Sequence, residues 1–461
     1  MVFSSIAFLF YFLPITLALY YVLPKRCRNF VLLIASLVFY AYGEPTYVLI
    51  MILSITFSYI YGLLIDKFRK HSKIFLALSV CTSIGLLIYF KYTNFIIENI
   101  NLWLLNKVDF INVVLPIGIS FYTFQMLTYT VDLYKGNVKV QKNIFKLGLY
   151  ITLFPQLIAG PIVRYQTIEE QLESRSHSFD KFALGVRRFV IGLGKKVLIA
   201  NLLGELVQVF LSSNDKSVLF YWIYGISVTL QIYFDFSGYS DMAIGLGKMF
   251  GFDFLENFNY PYIAKSVTDF WRRWHISLSS FFRDYVYIPL GGNRVSKIKW
   301  FRNILIVWML TGIWHGAAWN FIIWGLYFGL ILVLEKVFFG KYLEKIPSVF
   351  SRIYVLLTVI ISFIIFSGES SKQIFENLGG LIGYKDIPLV SQESIYYFKS
   401  YFVILIIGII GSTPIMKNAF SKEKMAKFVN IVESIFLIFI LLLSTSYIVD
   451  GSFNPFLYFR F

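Results

Sequence analysis

The sequence predicts an all-α polytopic membrane protein of about 10–12 transmembrane helices, with re-entrant and interfacial helices around a central tunnel. Three observations carry this. Of 461 residues, 57% are hydrophobic and only 15% charged, whereas soluble domains run near half apolar and a quarter charged. The apolar residues gather in runs, and the basic residues fall in alternate gaps between those runs. Several runs are short or broken by Gly and Pro, a backbone that survives at membrane depth only inside protein or beside a wet cavity.

Taken in order, spans are expected near 6–23, 30–42, 46–65, 74–90, 112–133, 197–212, 218–236, 349–366, 396–413 and 429–448. A broken hairpin is expected over 303–334 and a re-entrant segment over 147–163. The stretch from Ile6 to Leu23 lacks the basic flank and cleavage site of a signal peptide and is read as a retained span. Phe30–Tyr42 stops at Gly43-Glu44-Pro45, short of the roughly 20 residues a span normally needs. Leu153–Val163 carries Pro155, Gly160 and Pro161. A locally thinned bilayer accommodates such short runs. Heavy use of Phe (49) and Tyr (32) suits aromatic belts at the two interfaces. The longest polar-leaning stretches, 164–196 and 367–399, are too short to bury a core of their own. The chain therefore reads as a single membrane domain, with N-terminal helices over 1–146, a central core over 147–340 holding His275 and His315, and C-terminal helices over 341–461.

Charge gives the expected topology. The gaps 24–29, 66–73, 134–146, 164–196, 253–302, 335–348 and 414–428 hold 33 of the 42 Lys and Arg residues, and the opposite-side segments hold seven. Short loops rich in Lys and Arg stay in the cytoplasm, so both termini are expected outside. The net charge of +16 is thus topology and not a nucleic-acid footprint. Cys27 and Cys81 are placed neither to pair nor to ligate, and no metal is expected. No internal repeat of the transporter kind is found.

Polar residues concentrate over 231–320. Asp235 and Asp241 follow or interrupt an apolar run, where a carboxylate costs a few kcal/mol unless paired or wet. They are either functional or caps of a following helix. Next, Asp269 to Tyr285 reads as one helix with Trp271, Trp274, His275, Leu278 and Phe282 on one face. Such a helix lies at the cytoplasmic interface with its apolar face down. Arg272, Arg273 and Arg283 then either seat it on headgroups or attract an anionic carrier, since Arg suits phosphate. The third element runs from Leu310 to Asn320 and contains Trp314 and His315. Of the four histidines, His71 and His177 lie in basic loops, and only His315 is embedded in apolar sequence. Gly312 and Gly316 beside it permit close approach of backbone or ligand.

Burial favours neutral imidazole, the form that a general base needs. Acyl transfer from a thioester requires such a base, orientation and a stabilised oxyanion. No G-x-S-x-G elbow and no suitably placed Cys occurs, so histidine-directed acyl transfer is the economical reading. A transporter would show repeats and ion-coupling charges within its spans, which Asp235 and Asp241 meet only weakly. An export scaffold would have no reason to hold His315 in an apolar helix.

The run from Gln231 to Gly292, with SGYSDMAIGLGKMFGF and NFNYPYIAKSVTDFWRRWHISLSSFFRDYVYIPLGG, and the later LTGIWHGAAWNF resemble the membrane-bound O-acyltransferase family, in its bacterial alginate O-acetylation branch. MVFSSIAFLFYFLPI, LPIGISFYTFQ at 115–125, FPQLIAGPIVRY at 154–165 and the terminal NPFLYFRF extend the resemblance over nearly the whole chain. The resemblance implies that His315 is the family's core histidine and His275 a supporting one, at a position often Asn in eukaryotic members. It makes Trp271, Arg272, Arg273, Trp274, Arg283, Asp235, Asp241, Trp314 and Asn320 candidates for lining a donor and acceptor tunnel. The segment Ile361–Gly368 departs from relatives that often carry an aromatic pair followed by Arg. The resemblance further implies no tightly bound cofactor, a cytoplasmic thioester donor such as acetyl-CoA, and location in the bacterial plasma membrane. It also implies a secreted or membrane-anchored esterase-like partner with a Ser-His-Asp site, and a polysaccharide acceptor such as alginate, cellulose, another exopolysaccharide or peptidoglycan. D-alanyl transfer to teichoic acid from a carrier protein is the alternative within the family.

Overall fold

A computed structural model describes residues 1–158, 160–420 and 423–451, the side chains of 419–431 excepted. The C-terminus and its NPFLYFRF motif lie outside the described residues. Within them every regular element is helical, as it must be where lipid offers no hydrogen-bond partner to the backbone. The chain divides into two compact units, one of Met1–Phe189 with Ser240–Leu255 and one of Val190–Tyr239 with Glu256–Phe461.

The first unit contains α1 (Ala7–Val22), α2 (Arg28–Gly43), α3 (Tyr47–Lys67), α4 (Arg69–Asn101), α5 (Ile119–Lys135), α6 (Ile144–Thr152), α7 (Tyr165–Glu173) and α8 (Phe179–Gly194). Its core is aromatic. The Phe8 ring stands 4.9 Å from Phe3, 5.6 Å from Phe12, 5.9 Å from Phe39 and 6.2 Å from Phe154, distances at which edge and offset ring contacts are favourable. The expected span 112–133 begins later than its hydrophobicity suggests, at Ile119. Gly118 caps it with φ +73°, and a Cβ there would lie 2.8 Å from the Leu157 carbonyl, so the chain turns only because Gly stands at the corner. The expected span 74–90 is longer than its run, within α4. The broken stretch over 147–163 has its backbone met by protein: Phe154 N donates to Ser36 Oγ at 3.1 Å, and Tyr150 Oη donates to the Val163 carbonyl at 3.0 Å.

The second unit contains α9 (Asn201–Ser212), most of α10 (Val218–Met249), α11 (Val267–Arg273), α12 (Ile276–Phe282), α13 (Lys297–His315), α14 (Trp319–Leu343), α15 (Ser348–Ser367), α16 (Ser371–Leu381), α17 (Gln392–Gly411) and α18 (Glu423–Val449). Among the described residues, six helices are long and apolar enough to cross a membrane: α3, α4, α14, α15, α17 and residues 432–449 of α18. They carry exposed Leu49, Val403 and Leu442, side chains that water would disfavour and lipid accepts.

The α10 helix corrects one expectation. Asp235 and Asp241 cap nothing, because the helix continues through both to Met249. Each instead meets a cation. Lys196 Nζ lies 2.6 Å from Asp235 Oδ1, with both side chains 2% exposed, and also donates to Asn201 Oδ1 at 2.9 Å. Arg188 donates to Asp241 Oδ1 through Nε at 3.0 Å and Nη2 at 2.8 Å. Pairing explains how this 32-residue helix tolerates two carboxylates.

Breaking a buried pair leaves an uncompensated charge and costs about 3–5 kcal/mol. Asp235→Asn is therefore expected to lower the melting temperature in detergent markedly. Asp235→Leu combined with Lys196→Met is expected to recover most of the loss, as read by the same thermal melt.

Candidate active site

The hairpin of α13 and α14 places His315. A Cβ at Gly312 would run into the Phe321 carbonyl, and one at Gly325 into the Trp308 carbonyl. The two helices thus approach backbone to backbone, the small-residue packing that membrane helices use. At Gly316 the space is taken by the Phe321 ring. Of the two approaches that the sequence allowed, backbone or ligand, the glycines beside His315 take the first and admit the neighbouring helix.

His315 ends α13, is 5% exposed, and sits in an aromatic cage. Its ring lies 4.9 Å from Trp314, 4.9 Å from Trp324 and 5.2 Å from Phe366. Asn320 Nδ2 donates to the Phe366 carbonyl at 2.8 Å, which ties the start of α14 to the end of α15 and holds the Phe366 ring in place.

The stretch 269–285 is not one helix. It breaks at Trp274, which is extended, and at His275, which adopts φ +43°. The cause is a long-range pairing. Asn259 N donates to the Arg273 carbonyl at 2.9 Å, and Ile276 N donates to the Asn257 carbonyl at 3.0 Å. Asn257 Oδ1 accepts from Ser277 N at 3.2 Å and Ser277 Oγ at 2.8 Å, and lies 3.2 Å from His275 Nδ1. The face expected to rest on lipid is buried in protein instead. Trp271 packs on Trp308 at 4.6 Å, and Trp274 on Phe258 at 5.1 Å and Phe363 at 5.3 Å.

His275 is 1% exposed. Phe236 stands edge-on at 4.6 Å, and the Trp314 ring, which also touches His315, is 6.0 Å away. The histidine sits in the break between α11 and α12, outside the spanning segments, and burial, aided by the nearby His315, pushes its pKa well below the ordinary value.

A cavity of about 890 Å³ opens beside these elements. Lys265, Arg272, Arg283 and Lys336 line it against Glu335 and Glu344, with Tyr287, Trp300 and Trp308 among the walls. Arg272 makes no ion pair among the described residues, whereas Arg283 pairs with Asp284 at 2.7 Å. Arg273 is turned elsewhere, bound to Asp269 at 2.9 Å and to the Asn259 carbonyl at 3.3 Å. From Trp308 on the cavity wall, a chain of packed, buried rings runs through Trp271 and Trp324 to His315.

Sequence reasoning missed Asn257, Trp324, Phe366 and Glu335. The Glu335 carboxylate, 3% exposed, caps α11 by accepting from Val267 N at 2.6 Å and Thr268 N at 3.1 Å. It is the one acid in the apolar run 319–343, a signal that could have found it. Asn257 had none, because its partners lie 18–20 residues away.

Residues 139–375 match the membrane-bound O-acyltransferase family. The chain is also 39% identical over 424 residues to a probable alginate O-acetylase of Azotobacter vinelandii, covering 89% of this chain and 85% of that protein. The chain belongs to the membrane-bound O-acyltransferase family. A probable alginate O-acetylase of Pseudomonas aeruginosa is 42% identical, with 80% of this chain and 72% of that protein covered. A peptidoglycan O-acetyltransferase of Helicobacter pylori is 34% identical, with 86% and 82% covered. This membrane-bound O-acyltransferase thus resembles enzymes named for more than one polymer.

Removing a general base costs about 10²–10⁴-fold in rate. His315→Ala is expected to fold and insert, shown by detergent size exclusion, and to lose acyl transfer by that factor. His275→Asn is expected to keep measurable activity, because Asn accepts a positive φ readily and offers an acceptor in the same place. Near wild-type activity in His315→Ala would remove it from the chemistry.

Proposed function

We propose that this acyltransferase takes acetyl from a cytoplasmic thioester, acetyl-CoA, and delivers it for O-acetylation of a polysaccharide outside the cell. The observation that carries this is the pair of buried histidines around Trp314, joined by a chain of packed rings to a cationic cavity. Relatives named alginate O-acetylase and peptidoglycan O-acetyltransferase support the polysaccharide class.

In this reading Arg272, Arg283, Lys265 and Lys336 receive the donor's phosphates, as guanidinium and ammonium groups suit. The acyl end reaches His315 along Trp308, Trp271 and Trp324. His315 takes the proton of the attacking hydroxyl as its oxygen bonds to the acyl carbon, the carbon–sulfur bond breaks, and the thiolate leaves. No protein nucleophile or tightly bound cofactor is invoked. A secreted or membrane-anchored esterase-like partner completes delivery to the polymer. The protein resides in the bacterial plasma membrane, with its basic loops inside and its N-terminus outside.

Three measurements test this. Mass spectrometry of surface polymers from a deletion strain is expected to show loss of O-acetyl esters, and an unchanged ester content would overturn the function. Replacing Arg272 and Arg283 by Gln is expected to raise donor KM before lowering kcat, and an unchanged KM in proteoliposomes would return these residues to lipid contact. Single cysteines at positions 70 and 142 are expected to resist an impermeant reagent in intact cells, while one at 385 reacts. The opposite pattern would invert the topology.

A further inference from the structure

The hydrogen bonds around Asn257 fix more than a bend. Its carboxamide is 0% exposed, and its two ends are not interchangeable here. Ser277 N, a backbone donor, lies 3.2 Å from Oδ1, so that atom must be the acceptor oxygen. The same oxygen accepts from Ser277 Oγ at 2.8 Å and lies 3.2 Å from His275 Nδ1. Ser277 Oγ also lies 3.4 Å from Nδ1, but its hydrogen goes to the closer oxygen at 2.8 Å, so the contact between that oxygen and Nδ1 is a hydrogen bond only if the nitrogen carries the proton. His275 Nδ1 therefore carries the hydrogen, and in a neutral ring Nε2 is left with a lone pair.

Nε2 has no hydrogen-bond partner among the described residues although it is fully buried. A proton there would place a buried cation and an unmet N–H against Phe236 and Trp314, which is costly. The φ of +43° at His275 is a further cost that the surrounding contacts sustain. Strain, a fixed tautomer and an unmet acceptor converge on one atom.

We infer that Asn257 is a positioning residue that locks His275 in the Nδ1–H tautomer, so that its Nε2 accepts a hydrogen bond from a second hydroxyl, not the one that His315 deprotonates, and does not donate one to a developing oxyanion. This deepens the proposed function by choosing between the two kinds of supporting work open to His275. The ligand recognised at Nε2 is a hydroxyl-bearing acceptor, and oxyanion stabilisation falls to other donors. Trp271 and Trp324, whose indole N–H groups have no partner among the described residues, belong to the chain of rings that leads to His315.

The test reads the tautomer directly. Full-length protein labelled with ¹⁵N-histidine in nanodiscs is examined by solid-state NMR, and the His275→Asn spectrum assigns the signal. The expected result is a protonated Nδ1 and an unprotonated Nε2 near neutral pH. A proton on Nε2 in the wild type overturns the inference, whatever the activity. Asn257→Ala is expected to lose the single tautomer and about 10²-fold in kcat with donor KM unchanged, the scale of a misplaced acceptor. Asn257→Asp is expected to keep the tautomer, and its charge to raise the imidazole pKa and move the acid limb of kcat/KM to higher pH. If Asn257→Ala fails to accumulate, the wild-type spectrum and the Asp variant still decide. A wild type with the expected tautomer but no acyl transfer would sink the proposed function and leave this assignment standing.

Discussion

A polar group inside a helical membrane bundle has to find its partner within the protein, because lipid offers none. Much of this structure follows from that constraint. Lys196 exists in its buried turn because Asp235 meets it, and Asp235 exists in α10 for the same reason. The irregular stretch after α6 is held by Ser36 and Tyr150, and the start of α11 by Glu335. His275 Nε2 is one buried polar atom with no partner among the described residues, and its ring lies 6.0 Å from that of Trp314.

The sequence made the membrane class, the hairpin over 303–334 and the two histidine motifs legible, since those rest on long apolar runs and on residues out of character with them. It failed where packing overrides local pattern. The periodicity of Trp271, Trp274, His275 and Leu278 fits a continuous helix well, yet Asn257 and Asn259 hydrogen-bond across that stretch and break it. Asp241 suited a cap by its residue type, but Arg188, distant in sequence, pairs with it and the helix runs on. Long-range partners leave no periodic trace.

The same contrast explains why the cationic cavity was only half visible. Arg272, Arg273 and Arg283 stand together in the sequence, but a helix break between 273 and 276 sends Arg273 toward Asp269 and leaves the other two on the cavity wall. Lys265 and Lys336 join them from separate elements. A positive wall is thus assembled from three separate parts of the chain.

The backbone contact between α13 and α14 has a mechanical consequence. Helices that meet at glycine and carbonyl, locked further by rings such as Trp308 on Trp324, form a rigid strut. Carriers that alternate between inward and outward states rock one bundle against another, and such a strut at the reaction centre resists that motion within the hairpin. In the proposed transfer, passage past His315 would rely on rotation of the Trp324 and Phe366 side chains packed against it. Flux would be throttled by indole and phenyl ring flips, and only the slender acyl group, not the bulk of its donor, would be small enough to pass.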